Sequence, residues 1–350
     1  MRLVKMYIIA LLVITAIFWV TTISFGPFDQ LYLRHFGMLF AALGLVLIFL
    51  QFLLAARVRF IEAEIGLDRL LRWHRFCGKA GLTALLLHLA LIAYFRITVF
   101  GDLFPTTFIW VGLAALIGFM VTAALASLHR ILGIAYETWR GIHLVNYLLF
   151  PFVLIHVFYH TTTGSLLYYL WLLLAALYVA LIFYRLVRIA VIRNNPYEVV
   201  AVRQEAADIW SLDFKGKSFK YDPGQFMFIQ LKRNGRLSSA HPFTISNSPA
   251  REYPSITPQK LGDFTATIKD TAVGDSAYID APYGVFSFVQ HDYREMVFIA
   301  GGIGITPFIS MLRFMQDLKL DQKVTLFWVN RTEKQLCFRE ELEELQYELP

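Results

Sequence analysis

Apolar residues come in six long runs before residue 193 and in short runs after it. The runs at 6–25, 35–56, 74–95, 106–128, 142–160 and 166–192 each match the roughly 20 residues with which a helix crosses about 30 Å of hydrocarbon. They predict a compact six-helix transmembrane bundle. The pattern changes at "IRNNPYEVV", beyond which "YEVVAV", "DIWSLDF", "QFMFIQL" and "SAYIDAP" have strand length and are parted by Gly, Pro, Asp and Asn. From Val199 to about Gln290 these predict an antiparallel β-barrel. Next, "EMVFIAGGIGITPFISMLRFMQDL", the run "KVTLFWVN" and the acidic "FREELEELQ" alternate strand, helix, strand, helix, as a parallel α/β sheet does. The expected fold is a multidomain membrane protein: a transmembrane bundle over 1–192, a barrel over 193–292 and an α/β domain over 293–350. That last domain is expected to be incomplete, because two strands precede Pro350.

Composition narrows the class. With 57% hydrophobic residues and a mean hydropathy of +0.54, a single soluble domain is excluded. The net charge of +6 raises nucleic acid as a partner, but in the first half Arg and Lys crowd the ends of apolar runs. Arg2, Lys5, Arg57, Arg59, Arg69, Arg72, Arg75, Lys79, Arg130, Arg140, Arg185, Arg188 and Arg193 fall on one set of connections. The opposite set holds Asp29, Arg34, Arg96 and Asp102. By the positive-inside rule the chain is expected in the plasma (inner) membrane with both termini cytoplasmic, and no nucleic-acid partner is expected. The basic-then-apolar start suits an uncleaved first span better than a signal peptide, since no small-residue cleavage site is convincing. Cys77 and Cys337 lie far apart and give no disulfide framework.

Ionisable residues are costly in hydrocarbon, so histidines inside apolar runs stand out. His74 and His88 are fourteen residues apart in the third run, about 21 Å along a helix and nearly on one face. His143 and His156 are thirteen apart in the fifth. Two matched spacings suggest two rungs, His74 with His143 and His88 with His156. A flat haem, its iron held from both faces, fits between facing imidazoles. The alternative for each histidine alone is a hydrogen bond to a neighbouring helix. Thirteen residues on an ideal helix turn the second imidazole about 220° from the first, and Pro151 between them is the expected site of a compensating kink. His35, His129, His160 and His291 read as span-end or loop residues, with His160 near the outer exit.

The second half carries short motifs. "HPFTIS", His241 to Ser246, offers Thr244 and Ser246 as hydrogen-bond donors to an isoalloxazine ring, with His241, Pro242 and Phe243 shaping the pocket. "LGDFT", with Gly262 and Thr265, suits either a pyrophosphate-binding helix start or an ordinary capped turn. "GGIGITPF", with Gly301, Gly302, Gly304, Thr306 and Pro307, leaves a buried strand and opens a helix, where backbone and dipole favour phosphate. It is not the G-x-G-x-x-G fingerprint. Arg331 and Lys334 sit where a 2′-phosphate would reach, favouring NADPH over NADH, or are solvated charges at a strand end.

Taken in order, "HPFTIS", "LGDFT", "APYGVF" and "GGIGITPF" resemble a ferredoxin-reductase-type flavoprotein module. Joined to "LDRLLRWHR", His88, His143 and His156, the chain resembles the ferric reductase and NADPH oxidase superfamily. The resemblance implies two b-type haems on His74, His88, His143 and His156, FAD at His241 to Thr244, and NADPH or NADH at Gly301 to Pro307. It also implies a small electron acceptor on the outer face, a ferric chelate or oxygen. Two departures are evident. The superfamily's nucleotide lobe continues into a C-G-P segment and a terminal aromatic residue, and this chain ends first. Its oxygen-reducing members carry a histidine where this chain has Ile92, which weighs against superoxide production. The rival readings are a quinone-linked cytochrome b subunit serving a partner protein, and a non-redox membrane module.

Overall fold

The structure is a computed structural model that describes residues 2–23, 31–103 and 106–348. Phe25 and Asp29, which the sequence reading used, lie outside the described residues. The chain divides into two compact units, 1–58 with 68–185 and 59–67 with 186–350.

The first unit is helical. Helices α1 (Arg2–Val20), α2 (Leu31–Ala55), α4 (Leu67–Phe100), α5 (Thr107–Leu128), α6 (Tyr136–Leu144), α7 (Asn146–His160) and α8 (Leu166–Arg193) follow in order, with the short α3 (Arg59–Ile65) between α2 and α4. Among the described residues five segments are long and apolar enough to cross a membrane: α2, α4, α5, α6 with α7, and α8. The apolar part of α1, Val4–Val20, is shorter. Leu45, Val46, Phe49 and Phe52 of α2 pack against Phe119 of α5, Phe150 of α7, and Trp171, Leu174 and Tyr178 of α8. Leu148, Val179 and Phe183 face outward, the reverse of a water-soluble bundle and the arrangement lipid favours.

The fifth apolar run departs from expectation in one respect. Its break falls at Val145, between α6 and α7, whereas Pro151 lies inside α7. The Val145 N–H bonds to the Ile142 carbonyl and the Leu148 N–H to that of Val145. Such i to i+3 bonds wind the chain by about 120° per residue instead of about 100°, which rotates the following helix in the sense that His143 and His156 require.

The second unit contains an antiparallel sheet of β1 (Tyr197–Ala206), β2 (Ile209–Lys215), β3 (Phe226–Arg233), β4 (Arg236–Leu237), β5 (His241–Thr244), β6 (Ser255–Ile256) and β7 (Ser276–Tyr283), with α9 (Asp263–Ala266) before β7. The strand order is β4-β3-β7-β1-β2-β6, and β5 also pairs with β3. Among the described residues this path is open, which corrects the closed barrel expected from the sequence. The physical reason lies at its edges: β4 and β6 are two residues each, too short to join ends. Alternation along β7 is strict, with Ala277, Ile279, Ala281 and Tyr283 buried in turn.

Beyond the sheet, β8 (Glu295–Gly301) runs parallel to β9 (Lys323–Val329), with α10 (Thr306–Leu318) as the crossover and α11 (Arg339–Glu348) following. Phe298 and Ala300 point into a core with Ile309, Met311 and Met315 of α10. Val297, Ile299, Phe327 and Val329 on the other face are exposed. Arg313 of α10 holds Glu341 of α11 through Nε at 2.6 Å and Nη2 at 2.7 Å, a forked pair, while its Nη1 donates to the Ser246 carbonyl. Both cysteines are free and buried. Burial pushes the Cys337 thiol from 9.0 up to about 12. The folded chain thus holds that proton more tightly, a stabilisation present below pH 9 and lost as the pH climbs toward 12. Accordingly, iodoacetamide at pH 8 is expected to label neither cysteine in the native chain and both after denaturation, counted by intact mass.

Candidate cofactor sites

Of the four histidines at matched spacings, backbone carbonyls fix three. His74 Nδ1 donates to the Gln51 carbonyl at 3.2 Å, His88 Nδ1 to that of Gly37 at 2.9 Å, and His156 Nδ1 to that of Phe108 at 2.7 Å. A carbonyl oxygen only accepts, so in each ring Nδ1 carries the proton and Nε2 keeps its lone pair. That is the tautomer a metal-binding imidazole needs, held by the outer contact such ligands ordinarily make. His143 is held differently: its Nδ1 accepts from the Asn146 side-chain amide at 3.5 Å, and that amide's oxygen accepts from the Thr122 hydroxyl at 2.7 Å, so this ring is not fixed in the Nδ1–H form of the other three.

The rings of His74 and His143 have centroids 6.1 Å apart. Two imidazoles binding one metal from opposite sides, each nitrogen about 2.0–2.1 Å from it, stand about 6 Å apart. The spacing matches that of two imidazoles on one metal, and His74 presents an unprotonated Nε2. His88 lies within electrostatic reach of His156 and His160. Among the described residues no three His, Cys, Asp or Glu side chains converge on one point. The histidine-bearing spans are also the least covered, with 11% of each apolar window buried against 56% for α2, which leaves their faces open to a macrocycle or lipid.

Gly112 makes the room for His156. A Cβ there would lie 2.5 Å from Nδ1 of the ring, and Phe108, whose carbonyl takes the ring proton, is one turn earlier on α5. No feature of the sequence alone distinguishes Gly112 from the other glycines of the spans. On the far side of His156, the ring of His160 is 4.8 Å away. Arg96, which pairs with Asp102, has its Nε buried without a partner.

In the second unit, Pro242, Phe243 and Thr244 of β5 line a cavity of about 360 Å³ with Gly224, Phe226, Phe286 and Pro307. The HPFT segment and the head of α10 thus meet at one pocket, of a size that suits a planar ring. His241 does not line it; its ring stacks on Phe264 of α9 at 4.0 Å. Ser246, expected to donate to a flavin, is fully buried, and its hydroxyl pairs with that of Thr257 at 2.9 Å. The backbone passes inward at Ile245, which turns Ser246 into the core. At Gly262, the Thr265 hydroxyl accepts the N–H groups of Leu261 and Gly262 at 2.8 and 3.0 Å. Those amides are satisfied within the turn, the capped-turn alternative for this segment.

The glycine turn leaves β8 at Gly301 and passes through one 3₁₀ turn, Gly302–Ile305, into α10. No atom lies within 4 Å of where a Cβ would stand on Gly301, Gly302 or Gly304, so the backbone is open to a ligand there. Gly302 is fixed from below, its carbonyl accepting from the Trp328 indole at 2.9 Å. Thr306 is turned inward, its hydroxyl donating to the Ile303 carbonyl. Arg331 and Lys334 are exposed beyond β9.

Three segments of the chain match known protein families. Residues 40–155 match the ferric reductase like transmembrane component, 195–287 an FAD-binding domain, and 298–350 an oxidoreductase NAD-binding domain. Pig (Sus scrofa) dual oxidase 2 is 25% identical over 323 residues, 80% of this chain and 20% of that protein. Mouse (Mus musculus) NADPH oxidase 1 is 27% identical over 145 residues, 38% of this chain and 24% of its own. The glycine betaine monooxygenase reductase subunit of Chromohalobacter salexigens is 28% identical over 158 residues, 43% of each. The chain thus spans less than half the length of these relatives. Fold and matches together define a helical membrane component joined to FAD-binding and NAD-binding domains. In this order of parts the chain is similar to members of the ferric reductase and NADPH oxidase superfamily.

Proposed function

We propose that this protein is an NAD(P)H-dependent oxidoreductase that passes electrons from the cytosol across a membrane to an acceptor on the outer face. The observation that carries the reading is the His74–His143 pair, 6.1 Å between ring centres, with the protons of His74, His88 and His156 committed to carbonyls. FAD, when bound, would accept the two electrons of one hydride and release them singly, and haem would carry them one at a time. The chain's own residues position and insulate. His74 with His143 hold one haem and His88 with His156 the other. Pro242, Phe243 and Thr244 seat the flavin, and Gly301 to Pro307 present open backbone to the nicotinamide nucleotide, with Arg331 and Lys334 set to meet a 2′-phosphate.

In this reading the chain has six spans in the plasma membrane with both ends cytoplasmic, supported by the Arg and Lys clustering. The three parts are taken as 1–192, 193–292 and 293–350. The acceptor, a ferric chelate or oxygen, approaches beside His160 and Arg96. The test is a purified detergent preparation, with haem and flavin counted per chain. Two b-type haems and one FAD are expected, and NADPH is expected to reduce both centres. A preparation without a b-type spectrum ends the reading.

A further inference from the structure

The segment 59–67, which the sequence places between two spans, belongs to the flavin-bearing unit. Its helix α3 packs on β7. Arg59 Nη2 donates to the Ala281 carbonyl at 2.9 Å, and Leu67 joins Phe228 and Tyr283 in a small apolar cluster. At its centre is Glu62, a carboxylate only 3% exposed. Carboxylates are seldom buried unless their oxygens are engaged. Glu62 Oε1 accepts the backbone N–H of Gly284 at 2.7 Å and that of Leu67 at 3.2 Å.

Gly284 is where this matters. It has φ +94, and a Cβ on it would stand 3.0 Å from the Phe226 ring. Its carbonyl accepts from Gln225 Nε2 at 2.7 Å. Gln225 lies between Gly224 and Phe226, two lining residues of the cavity that Pro242, Phe243 and Thr244 also line. The Phe226 ring stacks on Tyr283, 5.7 Å between centroids. Glu62 therefore holds the turn that sets one wall of the pocket, through one residue, by an acceptor oxygen on two backbone N–H groups. Tyr283 is held from its other end, its hydroxyl donating to Asp280 Oδ2 at 2.8 Å, while Arg188 Nε donates to Asp280 Oδ1 at 3.2 Å.

We propose that Glu62 is a positioning residue for the flavin, and that the loop following α2 is a structural part of the flavin pocket. The proposal rests on the flavin reading above. The carboxylate fixes the Gly284 turn, the turn fixes Gln225 and Phe226, and those fix the ring-binding wall. The role asks for an acceptor oxygen at one distance, which makes it separable from a general need for charge.

The test uses the whole chain in detergent, with Glu62→Ala, Glu62→Asp and Glu62→Gln. FAD is removed and titrated back by fluorescence quenching, beside thermal unfolding and the haem spectrum. Glu62→Ala and Glu62→Asp, the second one methylene too short, are expected to weaken FAD binding at least about tenfold with the haem spectrum unchanged. Glu62→Gln keeps the acceptor and is expected to stay within about threefold. If the alanine chain does not accumulate, the contrast between Asp and Gln decides alone. FAD affinities that are equal across the variants, or a glutamine variant as weak as the aspartate one, overturn the proposal, even where unfolding temperatures fall. No FAD bound by the unaltered chain overturns the flavin reading itself.

Discussion

Replacing His88 with alanine is expected to leave one haem per chain, keep FAD, and cut transfer to an external acceptor by at least about 100-fold. The figure follows from scale: changing the outer contact of a metal ligand already costs about 10–100-fold in affinity or activity, and this change removes the ligand. His88 is placed by its bond to the Gly37 carbonyl, so the loss leaves a gap at one rung and does not loosen the packing of α2, α5, α7 and α8. His156→Ala should give the same spectrum, because both changes strip one metal position. His74→Ala should remove the other haem, and NADPH should then reduce the flavin but not the haem that remains. Pyridine haemochrome counts with flavin fluorescence measure all three. Two haems retained in His88→Ala would show that the four imidazoles do not pair as their matched spacings in the sequence suggest.

Much of this was legible in the sequence, for a physical reason. Lipid imposes long uninterrupted apolar runs, so helices α2, α4, α5 and α8 could be read directly. The strand–glycine–helix unit around Gly301 was legible because its turn chemistry is local. What failed depends on distant contacts. The break at Val145 carries no Gly or Pro, and the visible signal at Pro151 pointed to the wrong residue. Sheet closure depends on edge strands of two residues that no pattern reveals. Ser246 follows Thr244 by the usual two-residue alternation, yet it is buried, its hydroxyl on that of Thr257 and its carbonyl on Arg313. Segment 59–67 read as a basic connector. Its place in the flavin unit rests on Glu62 and Arg59 finding backbone groups more than 200 residues away.

Gly112→Ala is expected to release the outer haem without unfolding the helices. The added Cβ would stand 2.5 Å from Nδ1, 2.7 Å from Cγ and 2.8 Å from Cε1 of His156, closer than such atoms approach. The ring cannot yield freely, since its Nδ1–H is bound to the Phe108 carbonyl of the same helix. Either that bond stretches and the proton position is lost, or the ring swings and carries Nε2 off the metal axis. A displacement near 1 Å suffices, because ligand constellations tolerate only about 0.5 Å. We expect the outer haem to be held about 10–100-fold more weakly, with its band lost on detergent dilution while the inner haem persists. Gly118→Ala is the control on the same helix. Its Cβ would meet Leu149 Cδ1 at 2.6 Å, the end of a side chain that can rotate, so stability falls a little and both haems stay. If the two variants lose haem alike, helix packing and not the seat of His156 explains the loss. If Gly112→Ala keeps both haems at unaltered affinity, His156 does not ligate through Nε2 in the position its carbonyl bond defines.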